Sequence, residues 1–306
     1  MARYIIKRLL GILPILWGIA TVTFFMIRIA PGGPFDSEKQ LPPEIKKNIE
    51  AVYHLDKPLV VQYSMYMKNL LQGNLGPSFR YQGRSVNEVI GEALPTSALI
   101  GFCGLLFACI IGLFLGLLGG TKPNSPRDYL TSVFAFLGVC LPSFAIGPLL
   151  VYFFGIKLGW FRVAGLDGPL DLVLPSITLG TIHAAYFSRL VRSGIIEVHH
   201  LDFVRTARAK GLKESVIVLR HVLRGALIPA VSYLGPAASA MLTGSLVVET
   251  VFNIPGLGRF FVQSALNRDY TMVMGTVLCY GTIILIMNLL VDILYAFLEP
   301  KVSYAD

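Results

Sequence analysis

Three polar side chains interrupt the most apolar stretches of this 306-residue sequence, and they are the natural candidates for chemistry. Asn288 and Asp292 are four residues apart, so a helix would present both on one face. A carboxylate in apolar surroundings needs a partner, and Lys7 or Arg8 could supply the opposite charge. We interpret the two as a structural polar pair in preference to part of a pathway, and His183 first as a packing residue and second as a ligand contact. No motif assembles an acid, a base and a nucleophile, so we predict no catalytic residues.

A basic segment at 205–229, RTARAKGLKESVIVLRHVLRGALIP, is the second candidate site. Residues 197–211 overlap the beginning of this basic segment. Apolar residues recur there every three positions, as on one face of an amphipathic helix. They are Val198, Leu201, Val204 and Ala207. Gly211 is predicted to end this helix in a left-handed conformation, after which the chain turns back in a helix–glycine–helix corner. Charge alone leaves three interpretations: a rigid knob for a protein partner, an interfacial helix on anionic lipid, and a solvated loop.

Neither nucleotide nor metal chemistry is expected from this chain itself. The sequence has no G-x-x-x-x-G-K-[ST] phosphate loop, so any ATP must be bound by another polypeptide. All four cysteines lie within apolar stretches, where cysteine behaves as a small hydrophobic residue. They are Cys103, Cys109, Cys140 and Cys279. We therefore predict no disulfide, no metal site and no cofactor bound by this chain.

The composition requires a bilayer, because 54% of the residues are hydrophobic, 14% are charged and the mean hydropathy is +0.66. A membrane-spanning helix needs roughly 20 mostly apolar residues, whereas a β-barrel would show short alternating segments. We predict an all-α membrane protein with six spans, the first of them retained because it is too long for a cleaved signal peptide. The spans are residues 9–27, 97–120, 130–154, 170–187, 226–248 and 273–298.

Basic residues at the span ends predict the orientation, since Lys and Arg near spans stay on the cytoplasmic side. The segment 188–225 contains eight basic residues and three acidic ones. With six spans, this segment, both termini and the loop that contains Lys122 and Arg127 are expected in the cytoplasm. The net charge of +8 is then explained by topology, and no nucleic-acid binding is predicted.

The segment between the first two spans is patterned enough to fold outside the membrane. A helix is predicted after Pro42, another from Pro58 to Gly73, and a third, short one from a capping box at Ser85-Val86-Asn87-Glu88. This segment is interpreted equally as a cap near a translocation mouth or as a connector on the membrane surface. The predicted divisions are 1–30 (first span), 31–95 (external helical segment), 96–298 (five spans with the corner, 197–225) and 299–306 (cytoplasmic tail).

The second span has small residues at every fourth position, a pattern that allows another helix backbone to approach closely. They are Gly104, Ala108, Gly112, Gly116 and Gly120. Prolines in or beside the spans predict bends or interruptions. They are Pro14, Pro142, Pro148, Pro175, Pro229 and Pro236.

The basic corner resembles the EAA loop of type I ABC importer permeases, a pattern centred on a glycine that aligns with Gly211. Ala207 and Leu223 match that pattern, whereas Arg205 and Thr206 replace its first two residues. The sequence TARAKGL followed by RHVLRGALIP is closer to the version in dipeptide and oligopeptide permeases. RIAPGGPF, LPPEIKKNIEAVYHLDKP, GNLGPSFRY, VVETVFNIPGLGRFF, ALNRDY and VDILYAFLEPK also resemble the B-type membrane subunit of oligopeptide permeases.

The resemblance implies a type I ABC importer permease in a bacterial inner membrane. The corner would be a coupling helix that docks on a cytoplasmic ATPase, through Arg205, Thr206, Ala207, Arg208, Lys210, Gly211 and Leu212. The implied partners are a second, related permease subunit, two ATPases that bind ATP and Mg, an external peptide-binding protein, the oligopeptide substrate and membrane lipid.

Two alternatives stay open at this point. A related permease could carry dipeptides, glutathione or nickel, although the short external segment favours oligopeptides. An ion-coupled secondary transporter would need no ATPase, but the sequence lacks the paired midplane carboxylates that such a transporter often uses.

Overall fold

The computed structural model of the protein describes residues 2–29, 33, 51, 53–81 and 83–298. The fold is all-α, as predicted, with no β-strand in these ranges. The helices are α1 (Ala2–Ile29), α2 (Leu59–Leu71), α3 (Val86–Gly120), α4 (Pro126–Cys140), α5 (Ser143–Leu150), α6 (Val173–His199), α7 (Asp202–Ala209), α8 (Glu214–Val216), α9 (Leu223–Leu242), α10 (Leu246–Val251), α11 (Leu257–Leu266) and α12 (Tyr270–Leu298). π-Helical turns extend α5 (Val151–Lys157) and join α8 to α9 (Ile217–Val222), and a short 3-10 helix (Pro169–Leu172) precedes α6.

Among the described residues, five helical segments are long and apolar enough to cross a membrane. They include α1, α3, α6, α9 and α12. The predicted third span, 130–154, is not one helix. It is divided into α4 and α5, which meet at Leu141 and Pro142 at an angle of 105°. Proline restricts the residue before it to extended conformations, and Leu141 has φ −84° and ψ 116°. The predicted third span is thus a broken one, and the predicted interruption by proline is confirmed at Pro142.

The bent pair nevertheless has to return the chain across the bilayer. Contacts between α3 and α6 advance in step, from Gly104 beside Gly180 to Gly120 beside Ile195, so the two helices run in the same direction. The end of α3 and the start of α6 consequently lie on opposite sides. Residues 121–172 must cross between them, and α4 and α5 supply that crossing.

The predicted small-residue face of α3 is buried against α6 and α9. An added Cβ at Gly112 would lie 2.8 Å from the carbonyl oxygen of Ala184, and one at Gly116 would lie 2.6 Å from Cβ of Val191. Ala108 is buried as well. Backbones this close exclude larger side chains.

Both ends of the described chain lie on the same side of the molecule. The helices α1 and α12 are antiparallel: Arg8 pairs with Asp292 at 3.1 Å, and Arg28 approaches Met274 at the other end. The start of α12 also packs beside the start of α3, where Gly275 meets Val86. The start of α1 and the end of α12 thus share a side with the end of α3 and with the 197–225 corner.

The predicted fourth span was too short. The helix α6 begins at Val173 and continues to His199, well past the expected end at residue 187. Asp171 precedes this helix and accepts hydrogen bonds from the backbone N–H groups of Asp167 and Gly168 at 2.9 Å. This carboxylate therefore lies outside the apolar part of the span.

The described part of the external segment packs on α1 and α12. The helix α2, predicted from Pro58 to Gly73, packs on α1 through a hydrogen bond of 2.8 Å between Thr21 and Tyr63. The capping box of Ser85 and Glu88 is confirmed, but it begins α3 itself, because the predicted third short helix is continuous with the span through Pro95. The helix predicted after Pro42 lies outside the described residues.

Candidate functional site

The basic corner is built from the end of α6, the short helix α7 and the helical stretch from Glu214 into α9. The single amphipathic helix predicted across 197–211 was wrong. The chain leaves α6 at His200, and Leu201 adopts an extended conformation (φ −73°, ψ 149°) that begins α7. Leu201 is consequently exposed, whereas the other three apolar residues of the predicted face are buried.

The inner face of α7 anchors the corner to the rest of the protein. Val204 is fully buried, and it forms one apolar cluster with Val198, Ala207, Ile217 and Val222. A short isolated helix would be marginal in water, so this packing stabilises α7 as a rigid element.

Gly211 ends α7 in the left-handed conformation that the sequence predicted, with φ +74°. The Gly211 N–H donates to the carbonyl of Arg208 at 3.0 Å, and the Leu212 N–H donates to that of Ala207 at 3.4 Å. No other atom would lie within 4 Å of an added Cβ at Gly211. Within the described chain, the glycine is therefore required by the turn and not by crowding.

A bidentate ion pair closes the corner. The Arg208 guanidinium donates to both carboxylate oxygens of Glu214, at 2.8 and 3.2 Å, and it also contacts Nε2 of His199 at 2.8 Å. The Glu214 carboxylate raises the pKa of Arg208 above its usual value. Arg208, predicted as a partner-facing residue, is thus engaged within the corner and links α6, α7 and α8.

The remaining predicted residues lie on the outer surface. Arg205, Thr206, Lys210 and Leu212 are exposed, whereas Ala207 points inward. The exposed Phe203 belongs to the same surface and was not predicted. Phe203 lies between Asp202 and the buried Val204, and a single exposed ring gave no distinct signal in the sequence. The result is a rigid projection with apolar and cationic groups, which suits docking in a protein cleft.

Sequence reasoning missed buried carboxylates that join helices on both sides of the molecule. Asp128 receives two hydrogen bonds from Arg192, at 2.5 and 2.8 Å, and a third from the Asn124 N–H at 2.8 Å. On the other side of the molecule, Glu249 accepts from the Ser97 hydroxyl and the Arg259 N–H, both at 2.7 Å. Ser125, the N-cap beside Asp128, was the only local signal.

The predicted intramembrane polar residues have separate partners. Asp292 pairs with Arg8, one of its two expected partners. Asn288 lies instead beside Gly235 of α9, where an added Cβ would be 3.0 Å from its side-chain oxygen. His183 shares a hydrogen bond of 2.8 Å with the hydroxyl of Tyr233.

Family comparisons cover both parts of the chain. The family described as the binding-protein-dependent transport system inner membrane component matches residues 109–304, and the corresponding N-terminal family matches residues 1–99. The oligopeptide transport system permease protein OppB of Haemophilus influenzae is 46% identical, with 99% of this chain and 100% of that protein covered. The dipeptide transport system permease protein DppB of Bacillus subtilis is 39% identical, over 99% of this chain and 98% of that protein.

A solved structure supports the fold independently. The crystal structure of an amino acid ABC transporter with histidines matches with a TM-score of 0.52 and 18% identity, covering 69% of this chain and 94% of that one. At 18% identity the match is evidence for the fold alone. Together with the buried helical core and the family matches, it leads to one conclusion: the chain belongs to the binding-protein-dependent transport system inner membrane components, and it is a multi-pass permease subunit of an ABC importer.

Proposed function

We propose that this chain is one of two related membrane subunits of an importer that carries oligopeptides inward. The observation that supports this most strongly is the full-length similarity, at 46% identity, to a protein named as an oligopeptide permease. Two cytoplasmic ATPases would bind ATP and Mg and supply the energy, and an external binding protein would deliver the peptide. This chain would bind no cofactor of its own.

Within that complex, the corner couples ATP hydrolysis to transport. A rigid element can transmit a rigid-body movement that a loose loop would absorb. The packing of Val204 and the Arg208–Glu214 ion pair give the corner that rigidity. Its exposed surface, with Phe203 and Arg205, would seat in a cleft of the ATPase.

Gly211→Val is expected to uncouple ATP hydrolysis from peptide uptake. A side chain with a branched Cβ resists the left-handed conformation by about 1 kcal/mol or more, so the turn after α7 should shift. The subunit should still insert and pair with its sister permease, since no neighbour occupies the space around Gly211. Co-purification of the ATPases and peptide-stimulated ATP hydrolysis measure the effect.

Gly73→Val is the matched control, because Gly73 has φ +72° and equally open surroundings in the external segment. It should carry similar strain without loss of ATPase docking. Equal coupling in the two variants would contradict the assignment. If the corner bound only anionic lipid, Gly211→Val should do little. Replacement of the exposed Arg205 and Lys210 by neutral residues would then release it, at roughly 1 kcal/mol per charge.

We also propose that both termini and the corner lie in the cytoplasm, on the basis of the basic excess in 188–225. A cysteine at the exposed Ser215 should react with a membrane-impermeant reagent only after the inner face is opened. A cysteine at the exposed Lys68, in α2, should react in intact spheroplasts. The reverse labelling pattern would show that the orientation is opposite to the one proposed.

Dipeptide transport is the second candidate, supported by 39% identity to a protein named as a dipeptide permease. Uptake of di-, tri-, tetra- and penta-alanine by the reconstituted complex separates the two. Preference for peptides longer than two residues supports the first proposal, whereas exclusive uptake of dialanine supports the second.

A further inference from the structure

A cavity of about 440 Å³ lies where the end of α1 meets α2, the loop at 74–79 and the start of α12. This end of α1 is on the side that we propose to be external. The volume is within the range of about 300–1,000 Å³ that is usual for small-molecule sites. The polar lining includes Arg28, Gln62, Asn69 and Asn74, and no carboxylate is among the described lining residues. Within the described chain, the cavity is therefore cationic.

Arg28 supplies the positive charge. Its guanidinium lies 3.5 Å from the centre of the Phe24 ring, and its Nε donates to the side-chain oxygen of Gln62 at 3.1 Å. One terminal nitrogen donates to the Phe24 carbonyl at 3.2 Å, whereas the other has no acceptor among the described residues. No described carboxylate forms an ion pair with Arg28. A partly desolvated cation without an opposite charge is costly, so a bound anion would stabilise it.

The surrounding wall has further donors. The side-chain amides of Asn69 and Asn74 donate no hydrogen bond within the described chain, and the buried Tyr66 hydroxyl has no partner there. The carboxylate of Asp269 lies behind this wall, where it already accepts hydrogen bonds from the Ser78 hydroxyl at 2.5 Å and from the Arg80 N–H at 3.2 Å. The wall can thus donate to an incoming anion, and Asp269 is engaged elsewhere.

The cavity lies at the level of the membrane surface. Arg28 is the last residue but one of α1, whose span ends at Ile29. Met26 and Ile29 are exposed apolar residues beside it, and α2 exposes Val60 and Leu71. Tyrosine and arginine side chains are typical of the boundary between hydrocarbon and water. Exposed apolar surface next to a cationic cavity suits a ligand with a charged head and an apolar tail.

We infer that this cavity binds the phosphate headgroup of an outer-leaflet phospholipid, with Arg28 as the main contact. A guanidinium binds phosphate oxygens through charge-assisted hydrogen bonds, and basic pockets beside spans are typical headgroup sites. A peptide carboxylate has the same sign of charge, but the apolar surface of α1 and α2 matches acyl chains. The inference goes beyond peptide transport, because it assigns the described part of the external segment to the membrane surface.

Lipid binding by the purified, delipidated complex tests this assignment. Native mass spectrometry counts bound dihexanoyl phosphatidylglycerol and dihexanoyl phosphatidylethanolamine, two short-chain lipids that dissolve in water. Arg28→Gln should weaken one saturable site by about tenfold or more, as expected for the loss of a charge-assisted hydrogen bond. Lys68→Gln is the matched control, because Lys68 is exposed on α2 and does not line the cavity. It should leave this site unchanged. Equal binding by Arg28→Gln and the parent would overturn the assignment.

Two soluble anions separate a lipid from other sources of negative charge. Inorganic phosphate and tetra-alanine, each at the concentration of the short-chain lipid, should displace little of it. If phosphate bound at the Arg28-dependent site as tightly as the lipid, the cavity would be a site for a free anion. If tetra-alanine did so, the cavity would be a site for a peptide terminus. Either result would overturn the lipid assignment.

A photoreactive lipid tests the same site without substitutions, and it decides the matter if Arg28→Gln lowers the midpoint of thermal unfolding. A phosphatidylethanolamine with a diazirine on its headgroup amine, in vesicles that contain the unmodified complex, should crosslink to residues 53–79 or to the start of α12. Crosslinks to this subunit that occur only on other helices, such as α4, would overturn the assignment. Neither assay requires peptide uptake, so failure here would leave the proposed function standing.

Discussion

Gly112→Leu is expected to prevent stable assembly of the subunit. A Cβ at this position would lie 2.8 Å from the carbonyl oxygen of Ala184 and 2.9 Å from the ring of Phe187, so α3 and α6 must separate. Overpacking of a closely packed site costs up to about 3 kcal/mol, and backbone cannot move aside as a flexible side chain can. The amount of subunit in membranes and the midpoint of thermal unfolding of the purified complex measure the loss.

Gly91→Leu on the same helix is the matched control, because no atom outside its immediate neighbours would lie within 4 Å of an added Cβ there. Gly112→Ala should fall between the parent and Gly112→Leu, since it adds the first carbon alone. If Gly112→Leu matched Gly91→Leu in abundance and heat resistance, the close approach of α3 and α6 would be wrong.

The sequence predicted this contact because it depends on local periodicity. Small residues at every fourth position of 97–120 indicate a face for close packing, whatever the partner is. The capping box at Ser85 and the left-handed turn at Gly211 were predictable for the same reason. Each arises from the conformational preferences of a few adjacent residues.

The break in the third span shows where that reasoning ends. At Pro142 the helix ends, and the next helix begins at an angle of 105° to it. Pro14, Pro95, Pro229 and Pro236 lie inside continuous helices. A proline removes one backbone hydrogen bond at each of these sites. Whether the helix ends or only bends depends on what packs around it, and the sequence does not contain that information.

The prediction of a single helix across 197–211 was wrong for a related reason. Val198 and Val204 have the spacing of one helix, but they are buried in the same cluster from two different helices. Periodicity predicts that a residue faces inward and does not show that the helix is continuous. The extended conformation at Leu201 lets α7 fold back onto Ile217.

The buried carboxylates were beyond local reasoning altogether. Asp128 and Arg192 are 64 residues apart, and Ser97 and Glu249 are 152 apart. In the sequence analysis Arg192 was one of the eight basic residues of 188–225 that predicted the orientation of the spans. A charge that orients a span and a charge that pairs with a buried carboxylate look the same in a single sequence.

Arg192→Met is therefore expected to destabilise the subunit strongly. It would leave Asp128, which is 3% exposed, without its two hydrogen bonds from the guanidinium. Removing the partner of a desolvated carboxylate costs about 1–3 kcal/mol here, because the pair is only partly buried, with the Arg192 side chain 33% exposed. Arg127→Met, at an exposed position in the first turn of the same α4 helix, should change stability by less than about 0.5 kcal/mol.

The double variant Asp128→Asn/Arg192→Met should recover most of the lost stability. A neutral amide is less costly to bury than a carboxylate, and its oxygen can still accept the hydrogen bond from the Asn124 N–H. The measurement is the midpoint of thermal unfolding of the purified complex, with ATPase co-purification alongside it. If Arg192→Met and the double variant were equally unstable, the loss would come from the packing of the arginine side chain. If both matched Arg127→Met, the ion pair would not hold the end of α6 to the start of α4.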